Sequence, residues 1–225
     1  MRIKFLGHSC VQVDINGTVL LIDPFISGNE LAKDIDVADI RADYILLTHG
    51  HQDHILDAEV IAKQSDAVII ANYEVASYFG AKGCKMHPLN HGGTYTSDSF
   101  SAKYVNAVHT SSFPDGTYAG QPGGFVVQAQ NEVFYHAGDT ALTYDMKLIP
   151  KEFDLDVAFL PIGGNFTMDY KDALLASSFI KCKKIIGIHY DTFGYIKIDQ
   201  QKARALFDGD NRELILLKIG EEVEI

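Results

Sequence analysis

Thr48-His49-Gly50-His51-Gln52-Asp53-His54 is the stretch on which the reading of this chain turns. It follows directly on Tyr44-Ile45-Leu46-Leu47, a short continuous apolar run that suits a strand covered on both faces. Imidazole nitrogens and carboxylate oxygens are ligands for zinc and equally for manganese, nickel or iron. Four of them in six residues can face common centres only if the backbone turns tightly, and Gly50 is read as the residue that permits the turn. Alternation puts His49 and His51 on one centre, while Asp53 and His54, at the start of a helix, meet a second.

The remaining ligands of such a site are expected at the ends of other apolar runs, where a rigid sheet can hold them. Val108-His109, Tyr135-His136-Ala137-Gly138-Asp139-Thr140 and Ile188-His189-Tyr190 qualify. The resulting assignment gives a first metal His49, His51 and His109, and a second Asp53, His54 and His189. Asp139 is the carboxylate between them. His136, in mid-strand, reads as structural, and His87 and His91, beside a Pro-Leu-Asn turn, read as solvated.

The N-terminal part reads as a β-meander: Ile3 to Leu6, Cys10 to Val13, an Asn16-Gly17 turn, and Val19 to Ile22. After Leu47 the pattern predicts a helix from Ile55 to Lys63, a strand from Ala67 to Ile70, a helix from Glu74 to Phe79 and a strand from Cys84 to Leu89. From about Phe100 the logic repeats. Strands are expected at Ala102 to Val108, Gly124 to Gln128, Val133 to His136, Val157 to Leu160, Ile185 to Ile188 and Leu214 to Leu217. Helices fall near Tyr144 to Ile149, Lys171 to Ile180 and Gln200 to Phe207, and Glu221 to Ile225 alternates like an edge strand. Two successive halves, β-rich first and α/β later, imply an α/β fold with two facing mixed sheets and helices outside, a four-layer αβ/βα sandwich. Residues 1–225 are read as one domain of two α/β halves, about 1–100 and 101–225, since no Pro/Gly/Ser-rich linker separates them.

Composition narrows the function. A net charge of −11 repels a phosphate backbone, so nucleic acid is not an expected partner. No stretch approaches the roughly 20 apolar residues of a membrane span, and the N-terminal residues turn polar before a signal-length apolar segment forms, which makes the cytoplasm the expected location. Cys10, Cys84 and Cys182 are scattered and form no CxxC pair, so neither a disulfide framework nor a thiolate zinc site is expected.

In order and spacing the ligand set resembles the metallo-β-lactamase superfamily: an early Asp (Asp23 in Leu21-Ile22-Asp23-Pro24), H-x-H-x-D-H (His49 to His54), a lone His (His109), a lone Asp (Asp139) and a final His (His189). Gly7-His8-Ser9-Cys10, Ala137-Gly138-Asp139-Thr140 and Pro161-Ile162-Gly163-Gly164 look more narrowly like a group of prokaryotic metal-dependent hydrolases. That group is related to ascorbate-6-phosphate lactonase and N-acylphosphatidylethanolamine phospholipase D. The resemblance implies the metallo-β-lactamase fold and two divalent metal ions per chain, zinc first among the candidates. It also implies a hydroxide shared by the metals that attacks an ester, lactone or phosphodiester in a small, anionic substrate. Asp53 and Asp139 are the expected catalytic carboxylates, and Asp23 and Thr48 are expected to orient ligand histidines. His8, Asn165 and Thr167 are candidates for the substrate edge. His51 stands where diiron oxygen-reducing relatives carry an acid, and Asp139 where antibiotic-cleaving enzymes carry Cys, so both activities are disfavoured. A non-catalytic metal sensor, or an iron-dependent redox enzyme, is the competing reading, and homo-oligomerisation is compatible with the sequence.

Overall fold

Burial alternates along the first strands as a half-covered sheet requires: in Arg2–Gly7 the even positions 2 and 4 are the less buried, and in Cys10–Ile15 the exposed side returns at Gln12 and Asp14. The computed structural model describes residues 1–225. Its strands are β1 (Arg2–Gly7), β2 (Cys10–Ile15), β3 (Thr18–Ile22), β4 (Tyr44–Leu47), β5 (Val68–Asn72), β6 (Lys85–Leu89), β7 (Thr94–Thr96), β8 (Ser101–Asn106), β9 (Gly123–Ala129), β10 (Glu132–His136), β11 (Val157–Pro161), β12 (Lys184–Ile188), β13 (Glu213–Ile215) and β14 (Glu222–Glu224). The α-helices are α1 (Gln52–Ile55), α2 (Ala58–Ser65), α3 (Tyr73–Ala81), α4 (Tyr170–Phe179) and α5 (Gln200–Gly209).

The strands form two seven-stranded mixed sheets, ordered β14-β1-β2-β3-β4-β5-β6 and β13-β12-β11-β10-β9-β8-β7. In each, an antiparallel meander leads into parallel strands. Between the sheets lies a core that includes Ile3, Val13, Leu46, Phe125, Phe134 and Phe159. The outer faces bury a second and a third apolar layer, around Ile61 and Phe79 on one side and Ala176 and Phe207 on the other. This is the four-layer αβ/βα sandwich expected from the sequence. β7 belongs to the second sheet, and the C-terminal β14 returns to pair with β1 in the first. No helix is long and apolar enough to cross a membrane.

Several boundaries differ from the sequence reading, each for a local reason. The expected helix from Ile55 to Lys63 is two helices broken at Asp57, whose carboxylate accepts the amides of Ile26 (2.6 Å) and Ser27 (2.9 Å) instead of continuing a helical face. The turn at Tyr144–Lys151 is 3₁₀ and contains Pro150, which cannot donate to an α-helical ladder. The last expected strand stops at Ile215 because the Arg204 guanidinium takes the carbonyls of Leu214 and Leu216. β7, three residues long, carries too short an alternation to be read.

Register decides where the chemistry collects. β3 runs parallel to β4, so Asp23 and Thr48, just past their C-terminal ends, share one edge; β2 is antiparallel to β3, which brings the β1–β2 hairpin turn at His8-Ser9 to that edge too. In the other sheet β10, β11 and β12 are parallel, and the residues following them, Ala137 to Asp139, Gly163 and His189, fall at a corresponding edge. Hydrogen bonds stitch the two edges together: His189 N to His8 O (2.9 Å), Gly123 N to Thr48 O (3.1 Å), and His136 Nε2 to Ser9 O (3.1 Å).

Candidate metal centre

His49, His54, Asp139 and His189 are buried where the sheet edges meet, while His51, Asp53 and His109 are half-buried toward the opening. Their donor atoms form three overlapping groups: His49 with His51 and His109; His49 with His54 and Asp139; and Asp53 with His54, His189 and His8. All seven residues named from the sequence as ligands thus lie in one cluster.

The histidine loop is held from behind. Asp23, fully buried with a left-handed backbone (φ 46°), accepts the Thr48 amide at 2.8 Å, the Thr48 hydroxyl at 2.7 Å and His54 Nδ1 at 2.8 Å. The Thr48 hydroxyl has one proton, and Asp23 receives it; His49 Nδ1, 3.0 Å away, must therefore be the donor to Thr48 Oγ1. Both rings thus hold a hydrogen on Nδ1 and turn Nε2 into the cluster, where His49 Nε2 faces His51 Nδ1 at 2.9 Å.

Gly50 does not adopt a positive φ. Its role is space: a Cβ there would lie 2.3 Å from the Ala119 Cβ, and its amide donates to Ser111 Oγ at 3.1 Å. Gly138, by contrast, combines a φ of 62° with close approach to Thr48, 2.8 Å from its would-be Cβ to the Thr48 Cβ, and so brings Asp139 against the histidine loop. His109 is not at a strand end. β8 stops at Asn106, and the segment is held instead by Val108 N to Thr140 Oγ1 (3.0 Å) and Ala141 N to Val108 O (3.0 Å), which set His109 beside Asp139.

Asp139 faces both halves of the cluster. Its Oδ1 lies 3.4 Å from His54 Nε2; its Oδ2 lies 3.0 Å from His189 Nε2 and 3.4 Å from His109 Nε2. His54 Nε2 and Asp139 Oδ1 are buried without a hydrogen-bond partner. Unpaired buried polar atoms are costly, and two of them facing each other across a gap lined by nitrogen and oxygen donors fit a divalent cation.

The protonation pattern follows from the same packing. Burial lowers the pKa of His49, and also of His51 and His109, so this trio is uncharged at neutral pH. Burial also opposes charge on His54, yet Asp139, Asp23 and Asp53 outweigh it and hold the ring well above the ordinary histidine value. For Asp139 burial is outweighed by His189 and His54, and for Asp53 by His54 and His8; both carboxyls lie well below the usual carboxylate range. Without a cation, a proton on His54 takes the place a metal would fill.

His8, buried with φ 56°, puts Nε2 3.1 Å from Asp53 Oδ2 and Nδ1 3.0 Å from Thr192 Oγ1; burial pulls its pKa down to about 4. Asn165 is exposed and Thr167 half-buried, in a turn closed by the Gly163–Asp169 bridge, and neither hydrogen-bonds a residue of the cluster. That turn is tied to the site through Met168 N to Thr140 O (3.0 Å), and Asp169 caps α4. His136 bridges Ser9 O and Gly138 N, a structural position. His87 lies within β6, and His91 stacks on Tyr104 and pairs with Pro122 O at 2.9 Å. Tyr104, whose hydroxyl donates to Thr48 O (2.7 Å), and Ser111 support the loop but carry no sequence signal beyond ordinary strand and loop residues.

Comparison with known proteins places these features in a family. The family model described as "Beta-lactamase superfamily domain" matches residues 2–189. A UPF0173 metal-dependent hydrolase of Christiangramia forsetii is 56% identical over 226 residues, covering 100% of both chains, and one of Flavobacterium johnsoniae is 54% identical over 225 residues with the same coverage. Among solved structures, Igni18, a metallo hydrolase from Ignicoccus hospitalis, superposes with a TM-score of 0.90 at 30% identity, covering 99% of this chain and 97% of that one. With its two facing sheets, its edge cluster of histidines and aspartates, and relatives matched end to end, the chain belongs to the UPF0173 metal-dependent hydrolases of the β-lactamase superfamily.

Proposed function

We propose that the cluster holds two divalent cations and hydrolyses an ester, lactone or phosphodiester bond in a small substrate whose anionic group the cations neutralise. His49, His51 and His109 would hold one cation, Asp53, His54 and His189 the other, with Asp139 shared. The observation that carries this reading is the position of Asp139, whose two buried oxygens look toward His54 on one side and toward His109 and His189 on the other. Cations bound there would supply Lewis acidity and lower the pKa of a coordinated water from about 15.7 toward 7.

The chain's own residues divide the remaining work. Asp139 is 3% exposed and surrounded by imidazoles, which suits a fixed charge. The Asp53 side chain is 28% exposed at the opening, so it is the carboxylate that can meet water and substrate, accept a hydrogen bond from the attacking water and orient it. Asp23 and Thr48 keep the His49 and His54 lone pairs aimed inward throughout. Three unpaired, buried cysteines support a reducing, cytoplasmic setting.

The test is turnover of chromogenic phosphodiesters, esters and lactones by metal-stripped protein reloaded with zinc, manganese, nickel or iron(II). Turnover of at least one substrate that requires reloading is expected, and Asp53→Asn is expected to lose at least tenfold in kcat. Absence of turnover across the panel with fully loaded protein would contradict the hydrolytic reading.

A further inference from the structure

The hairpin turn between β1 and β2 is built to deliver one ring. Gly7 (φ 104°) and His8 (φ 56°) both take the left-handed region, which is costly for a histidine, and the His8 carbonyl accepts His189 N at 2.9 Å. The ring is enclosed by Phe25, Phe193 and His189, at centroid distances of 5.6, 5.2 and 4.2 Å. Its two nitrogens are treated differently. Nδ1 meets Thr192 Oγ1 at 3.0 Å, and that hydroxyl also has Tyr190 O within 3.3 Å; with its proton on Tyr190 O, the Thr192 oxygen accepts and Nδ1 carries the hydrogen. Nε2 of the neutral ring is then a lone pair, 3.1 Å from an oxygen of Asp53, which is also a lone-pair donor. In that tautomer the two lone pairs call for a positive charge between them, whereas with the hydrogen on Nε2 the ring donates to Asp53.

His49 and His54 likewise tether Nδ1 to an oxygen and turn Nε2 into the cluster, where His49 Nε2 meets His51 Nδ1 at 2.9 Å and His54 Nε2 has no hydrogen-bond partner. The donor atoms of His8, Asp53, His54 and His189 all lie within 4.8 Å of one another, and the two closest approaches to Asp53 beyond His8 are 3.9 Å each, from His54 and His189. With metal–ligand bonds of about 2.1 Å, neighbouring ligands of one six-coordinate ion stand about 3 Å apart and opposite ones about 4.2 Å, so these spacings suit a single shell.

We infer that His8 Nε2 is itself a ligand of the second cation, joining Asp53, His54, His189 and the shared Asp139. The inference rests on the two-cation reading above and adds a consequence: five protein ligands exceed the tetrahedral shell of structural zinc, so this half of the site is made for an ion that accepts five or six ligands, such as manganese, iron(II) or nickel.

The direct test is a crystal structure of the wild-type protein loaded with manganese, with the ions located by anomalous scattering. His8 Nε2 at bonding distance, about 2.2 Å, is expected. An ion among Asp53, His54 and His189 with His8 beyond bonding reach, hydrogen-bonded to Asp53 alone, overturns the His8 assignment and leaves the two-cation reading standing. A loaded structure with no ion in that half overturns both. In solution, His8→Asn keeps a residue that tolerates the left-handed backbone while removing the ring. It should weaken manganese at one of two sites by roughly 10- to 100-fold or more, the range known for residues that support a metal site, and lower that site's preference for manganese relative to zinc. Unchanged manganese affinity at both sites in a variant whose circular dichroism matches wild type overturns the assignment.

Discussion

Asp23 binds both hydrogen-bonding groups of Thr48 at once, the backbone amide through Oδ1 at 2.8 Å and the hydroxyl through Oδ2 at 2.7 Å. Because Oδ2 also takes His54 Nδ1, one buried carboxylate sets the tautomer of two histidines, His54 directly and His49 through Thr48. Asp23→Asn keeps the side chain's size and a residue that tolerates φ near 46°, but replaces one acceptor by a donor. Metal affinity measured by competition with a chromogenic chelator should fall by about 10- to 100-fold. An unchanged affinity would show that the two tautomers do not depend on Asp23.

Gly50 is constrained by a neighbour, not by its backbone angle. Gly50→Ala sets a methyl group 2.3 Å from the Ala119 Cβ and must displace the histidine loop, which overpacking of this kind does at about 1–3 kcal/mol. A lower melting temperature and reduced metal content are expected. The double variant Gly50→Ala with Ala119→Gly should recover part of both; no recovery would place the strain elsewhere.

Tyr104 supports the same loop from beneath, its hydroxyl shared between Thr48 O at 2.7 Å and Gln121 O at 3.0 Å. Tyr104→Phe leaves Thr48 O with its bond from Gly123 N and Gln121 O with its bond from Asn72 Nδ2 but removes the hydroxyl that joins the two carbonyls, at a cost of roughly 0.5–1.5 kcal/mol. Chemical denaturation should register that loss, and a variant as stable as wild type would contradict it.

Metal loading should depend on pH differently in the two halves of the cluster. A cation must displace a proton from any ligand that carries one. His49, His51 and His109 have lowered values and are already deprotonated at pH 7, so their half gains little affinity as pH rises through neutrality. His54 is held well above 6.5, so its half must shed a proton on binding and its affinity should climb with pH through the neutral range. In cation-free protein the sign for folding is opposite. A raised His54 value contributes stability that is fully present below pH 6.5 and is lost as pH rises through the folded value. Calorimetric titrations at several pH values, in buffers of different ionisation enthalpy, should find proton release for one binding event only. Equal release in both events would contradict the difference between the halves.

The sequence carried the architecture well because its signals were local. Buried parallel strands such as Tyr44–Leu47 and Val157–Leu160 are continuous apolar runs, and the β1–β3 meander alternates with an Asn16-Gly17 turn. The failures were tertiary. Nothing near Asp57 tells that its carboxylate will take the amides of Ile26 and Ser27 from some thirty residues away and split a helix. Nothing near Leu216 tells of Arg204. For the site, histidine and aspartate spacing named the seven clustered residues, since the H-x-H-x-D-H loop is motif-like and Asp139 and His189 follow apolar strands, while His109 lies three residues beyond β8. The position of His8 depends on a hairpin turn folding its ring beside Asp53, 45 positions along the chain, and the need for Gly50, legible locally as a turn, is set by Ala119, which no local pattern reveals.

The sharpest test of the shared-carboxylate site is the metal stoichiometry of wild type and Asp139→Ala, measured by plasma mass spectrometry after equilibration with excess manganese or zinc and gel filtration. Wild type should retain two equivalents, and the variant one or fewer with most turnover lost. A wild type that never exceeds one equivalent, or an Asp139→Ala protein that keeps two and full activity, would contradict the bridging role of Asp139.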